Sequence, residues 1–137
     1  VYGCEKNKIM KILRLTLKKK WFDMILSGEK LEEYREVKDY WAVRLLNGFS
    51  KTDIHFHLSE LKEPYETTAG NTLFDAIKKD FDAVQFINGY AKNAPSFTIE
   101  CKGIEIGKAK PEWSDNWEGN VFVIKLGKII SSCHTRA

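Results

Sequence analysis

Apolar positions recur along this chain with two different periods, and the changes of period mark its elements. From Lys11 to Leu17 the alternation is strict, with Leu13, Leu15 and Leu17 on one side and Arg14 and Thr16 on the other. A period of two with one apolar face predicts a strand that covers a core on one side. Trp21, Phe22, Ile25 and Leu26 follow at helical spacing, and Gly28 stands where a left-handed helix C-cap is expected. Trp41, Leu45 and Leu46 give a second short stripe over Tyr40 to Leu46, closed by Asn47-Gly48. Asp53 to Leu58 alternates again and predicts a strand. Beyond the polar connection KEPYETTAGN, Asn71 or Thr72 caps a third short helix whose inner face is Leu73, Phe74 and Ile77.

The second half is strand-rich. Ala83 to Ile87 reads as a strand ending in the turn signal Asn88-Gly89. In Ser96 to Ile106 the apolar positions are odd at Phe97, Ile99 and Cys101, then even at Ile104 and Ile106. A parity flip at Gly103 is the signature of a bulge or a barrel corner. Val121 to Leu126 is apolar on both faces at first, as in a central strand. Five or six strands and three short helices, without regular strand–helix alternation, exclude a doubly wound parallel sheet. The pattern predicts a mixed α+β, mainly β fold, a small curved sheet closing into a barrel and flanked by two or three short helices.

Composition narrows the setting. A chain of 137 residues, 43% hydrophobic and 30% charged, has room for one core. A single domain is expected over residues 10–130, with 1–9 and 131–137 as terminal extensions. No apolar run approaches the ~20 residues of a membrane span. Cys4, Cys101 and Cys133 are odd in number and far apart, which argues against a disulfide framework or zinc site and fits a cytoplasmic protein. The net charge of +3 permits a polyanionic partner without requiring one.

The chemistry concentrates in GEKLEEYR, Gly28 to Arg35, directly after the first helix. If the chain extends past Gly28, Leu31, Glu33 and Arg35 share one side of it and Lys30, Glu32 and Tyr34 the other. Lys30 is then expected at the rim of the open space before the strand. An ammonium, a carboxylate and a guanidinium fork would surround one concavity. Glu33 and Arg35 also fit a structural ion pair that fixes the strand against a helix, and the sequence leaves both readings open.

Gly28-x-Lys30-x-x-Glu33-x-Arg35 resembles the GxKxxExR signature of the ASCH (activating signal cointegrator homology) domain, a branch of the PUA-like superfamily. LRLTLKKKWFDMILSGEK, FINGYAKNAPSFTIECKGIEIG and FVIKLGKII are similar to the flanking segments of that family, so the resemblance spans Met10 to Ile130 and is weakest over Leu58 to Lys79. It implies a small β-barrel whose signature residues line a cleft for RNA or a modified nucleotide. Lys30 would meet a phosphate or base edge, Arg35 would supply the fork, and Glu33 would orient Arg35 or accept from a base amine.

Further candidates surround this core. Lys18, Lys19 and Lys20 beside Trp21 read as a phosphate-facing patch with an aromatic platform, or as a solvated helix start. Asn88 and Tyr90 would face the cleft, with Tyr90 stacking on a base or plugging the barrel. Of Trp113 and Trp117, one is expected to fold back on the barrel mouth. His55 and His57 share a strand face near Asp53, but a third ligand is not evident, and no metal or cofactor is expected.

Two function classes follow. The first is an RNA- or nucleotide-binding module. The second is a small nucleoside amidohydrolase or ribonuclease with Lys30 and Glu33 as catalytic residues. Some ASCH proteins remove the acyl group from acetylated cytidine with the motif lysine, a threonine three residues on, and a distant glutamate. Here the third position is Glu33, so the hydroxyl nucleophile is missing, and Glu100 or Glu105 would have to be the distant carboxylate. A protein-contacting scaffold is the third class, raised by an exposed Trp113 or Trp117.

Overall fold

The computed structural model describes residues 9–47 and 74–133. Its elements are β1 (Ile12–Leu17), α1 (Lys19–Leu26), β2 (Glu32–Glu36), α2 (Asp39–Leu45), β3 (Ala83–Asn88), β4 (Ser96–Gly107), a 3-10 turn (Pro111–Trp113) and β5 (Val121–Cys133). Residues 74–77 are also helical. The five strands join in the order β1-β3-β4-β5-β2. β1 lies parallel to β3, and β3 antiparallel to β4. Strands predominate over short helices, which is the mixed α+β, mainly β class that the pattern predicts.

The contacts divide the chain into two compact units. One holds the chain up to Leu31, Asp80–Gly103 and Lys125 onward; the other holds Glu32–Lys79 and Ile104–Ile124.

In the first unit the period-two reading of β1 holds. Leu13, Leu15 and Leu17 are buried, while Ile12 and Arg14 are exposed. Leu13 pairs with Val84 and Leu15 with Phe86, and the antiparallel β3–β4 register sets Phe86 against Phe97. α1 lays Trp21, Phe22 and Ile25 on this surface, with the Phe22 ring edge-on to Phe97 at 4.9 Å between centroids. Each such buried side chain contributes about 1.5–3 kcal/mol through apolar area removed from water. Gly28 leaves the helix at φ +89°, a conformation that strains any residue with a Cβ.

The parity flip in β4 is also present. Phe97 and Ile99 are buried before Gly103, and Ile104 after it, with Gly103 at φ +139°. Without a Cβ the chain turns its other face inward there.

The second unit packs Tyr34, Val121 and Val123 together, with Ala109 and Trp113 against them. Phe74 faces Phe122 at 6.3 Å. The Lys78 ammonium donates to the Ile104 carbonyl at 2.9 Å, and Leu46 bridges to Lys78. α2 buries Leu45, and Leu46 is buried just after it, as expected; Ala42 joins them, while Trp41 is only half-buried.

β5 departs from expectation in length. It runs to Cys133, seven residues past Leu126 and into the segment read as a terminal extension. The strand expected over Asp53 to Leu58 and the caps Asn71 and Thr72 lie outside the described residues, as do residues 1–8. No described helix is long and apolar enough to cross a membrane.

Candidate nucleic-acid interface

Parallel pairing brings together two segments that lie 71 residues apart in sequence, as Leu17 and Asn88 do. Leu17 ends β1 opposite Asn88, which ends β3, so both chains emerge at the same end of the first unit. The Gly89 amide then donates to the Leu17 carbonyl at 3.2 Å, and the Asn88 amide to the Pro95 carbonyl at 2.9 Å. Lys18, Lys19 and Lys20 follow one strand; Asn88, Gly89, Tyr90 and Lys92 belong to the other. All three lysines are exposed, as is Lys92.

Tyr90 is 92% exposed. It therefore plugs nothing, and that alternative is corrected: the phenol ring projects from a tight turn into solvent. Asn88, at the end of β3, is half-buried.

α1 has no side-chain cap at Lys18 and no acidic residue in its first turn, so three cations face the positive end of the helix dipole. Lys19 offsets part of this by pairing with Asp23 at 2.6 Å.

Trp21 is the second correction. Its ring is 8% exposed, too covered to serve as a stacking platform. It acts as a wall that carries two cations: the Lys20 ammonium lies 4.5 Å from the ring centroid, and the Lys30 ammonium 5.2 Å.

Lys30 is the third correction. It is 1% exposed and does not stand at a rim. The cause is local. After Gly28 reverses the chain, the Lys30 amide donates to the Met24 carbonyl at 2.9 Å, which tucks the residue beneath the helix exit. From there its ammonium comes to lie over Trp21, a residue one turn into α1. Burying an ammonium is costly unless it is compensated, and a tryptophan face is one such compensation.

Gly28 and Lys30 belong to the first unit, Glu33 and Arg35 to the second. Glu33 and Arg35 are same-face neighbours, as alternation predicts, and they form an ion pair. Arg35 also donates to the Tyr34 carbonyl at 2.8 Å, and its guanidinium lies 4.9 Å from the Trp41 centroid. With side chains only 12% and 6% exposed, this pair fastens β2 to α2.

The other face of β2 holds a pair that the functional reading passed over. The buried Tyr34 hydroxyl donates to Glu32 at 2.6 Å and accepts from the Lys110 amide at 3.2 Å. Burial pushes the Tyr34 phenol well above its ordinary value, and the hydrogen bond to Glu32 pushes it further the same way. The sequence signal for this pair is the shared face of Glu32 and Tyr34 that alternation along β2 predicts.

Trp113 is the tryptophan that folds back. It packs on the Tyr34 cluster with the Lys110 ammonium 4.8 Å from its ring. Trp117 is 38% exposed. Glu100 and Glu105 are both exposed, and Glu100 accepts from the Lys128 amide at 3.3 Å. Burial raises the Cys101 thiol above its ordinary value, which makes it a poor nucleophile. Among the described residues no three of His, Cys, Asp and Glu are grouped to hold a metal ion; His55, His57 and Asp53 lie outside them.

No protein-family model matches the chain, and it has no match among curated proteins or solved structures.

Proposed function

We propose that this chain binds RNA or a modified nucleotide through the basic, aromatic end of its first unit. The observation that carries the reading is the parallel β1–β3 register, which sets Lys18, Lys19 and Lys20 beside the turn that exposes Tyr90. Lysines give sequence-independent attraction to phosphates, and an exposed phenol offers a face on which any base stacks. Asn88, half-buried at the strand end, has both a donor and an acceptor for a base edge. Lys30 adds positive potential from behind Trp21 and holds that wall in place. The ASCH resemblance of GEKLEEYR points to the same ligand class.

The small footprint favours a single strand, because unstacked bases can reach an aromatic side chain while paired bases cannot. A salt series with fluorescently labelled single-stranded RNA tests the reading. Affinity is expected to fall as salt rises, and the Lys18→Ala/Lys20→Ala double variant to flatten the log–log slope by about 1.4, the share of two phosphate contacts. Binding that ignores salt, or a slope unchanged in the variant, would remove the lysines from the interface.

The hydrolase reading rests on one observation, the withdrawal of Lys30 from solvent, since buried lysines are the ones suited to act as bases. Against it stands Glu33, which occupies the position of the hydroxyl nucleophile and is paired with Arg35. Turnover of acetylated cytidine that Lys30→Met abolishes would move the proposal to that chemistry.

A further inference from the structure

The second unit carries a cleft of about 660 Å³ that the nucleic-acid reading does not use. Val37 and Val121 back it from the core, the Trp117 indole and Asn120 line it, and Glu36 and Glu118 supply carboxylates. The loop above it is shaped for this. The 3-10 turn at Pro111–Trp113 pins Trp113 inward, and the chain then passes through left-handed backbone at Asn116 (φ 59°) and Gly119 (φ 71°). Trp117, between them, is left 38% exposed at the cleft, while Asn120 is only 9% exposed.

The volume falls in the range of small-molecule sites. The chemistry selects among small molecules. Among the described residues that line the cleft, two carboxylates and an indole supply the polar and electrostatic groups, with no lysine or arginine beside them. An indole attracts cations and carboxylates pair with them, and the apolar body of the indole accepts a hydrocarbon stem. Phosphates and other anions would be repelled.

We propose that this cleft binds an organic cation, an ammonium or guanidinium group carried on an apolar stem, such as a lysine or arginine side chain. One of the two carboxylates already pairs with a cation: the Lys38 ammonium sits 3.6 Å from Glu36. Lys38 therefore competes with an incoming cation for that carboxylate. The inference is independent of RNA binding, which uses residues of the other unit.

The test is a titration of isotope-labelled protein with N-acetyl-arginine amide, N-acetyl-lysine amide and the neutral isostere N-acetyl-citrulline amide, followed by amide and indole NMR. The cationic probes are expected to shift Gly119, Asn120 and the Trp117 indole saturably, and citrulline to leave them in place. The stronger of arginine and lysine names the head group. Glu118→Gln should weaken binding at least about threefold, and Lys38→Ala should tighten it, an effect that a merely structural role for Lys38 would not produce. Trp117→Ala should abolish it while preserving the fold by circular dichroism. No saturable shift, equal shifts with citrulline, or binding unaltered in Trp117→Ala would overturn the proposal.

Discussion

Tyr34→Phe removes one oxygen from the second unit, and its consequences can be worked out at two pH values. The phenol donates to Glu32 at 2.6 Å and accepts from the Lys110 amide at 3.2 Å, in a residue 2% exposed. Phenylalanine keeps the ring and the packing on Val121 and Val123 but removes one hydrogen-bond donor from a buried carboxylate. A hydrogen bond to a charged group, lost with its partner left behind, costs about 1.5–3 kcal/mol. At neutral pH that corresponds to a fall in Tm of roughly 5–12 °C for a domain of this size.

The pH dependence has a definite sign. Burial and Glu32 hold the folded phenol above its ordinary value of 10.0, so the unfolded chain loses this proton first. The contribution is complete below pH 10 and is lost as pH rises. Between pH 9 and 10.5 the native protein should lose about 0.8 kcal/mol from Tyr34 alone, a loss the variant cannot show. Urea denaturation of both proteins at pH 7, 9 and 10.5, followed by tryptophan fluorescence, measures the gap. It should be widest at pH 7 and about 0.8 kcal/mol smaller by pH 10.5. Equal stability at pH 7, or a gap constant across the range, would refute the reasoning.

Three further substitutions test the local account. Lys30→Ala should destabilise the protein by about 2–4 kcal/mol because it empties a buried site; a rim lysine would cost under about 0.5 kcal/mol, and thermal denaturation separates the two. Arg35→Lys keeps the charge but loses the fork and the stacking on Trp41, and should cost about 1–2 kcal/mol in the same assay. Gly28→Ala meets no atom within 4 Å, so its cost should be the backbone strain alone, about 1–2 kcal/mol, read as a shift in the urea midpoint without change of slope.

What was legible in the sequence was local. The alternation of Leu13, Leu15 and Leu17, the exit at Gly28, and the flip at Gly103 each follow from periods and backbone sterics within a few residues. Glu33 meets Arg35 for the same reason. Lys30 was misplaced because residue type argued for solvent, while its burial comes from a chain reversal that wraps the residue under α1 and gives it Trp21 to lie against. The burial of Tyr34 is not local either: its hydroxyl accepts from the Lys110 amide, 76 residues away. The meeting of Lys18–Lys20 with Asn88 and Tyr90 depends on a parallel pairing between distant strands, which no local pattern encodes.

The most direct test of the central claim is the affinity of single-stranded RNA for the native chain and for Tyr90→Ala at one low salt concentration. Tyr90 is 92% exposed, so its loss leaves the fold intact and isolates stacking from structure. The account predicts measurable binding by the native protein and an affinity about 5- to 150-fold weaker for the variant, the worth of one base–aromatic stack. Native protein that does not bind RNA, or a variant that binds it equally well, would contradict the account.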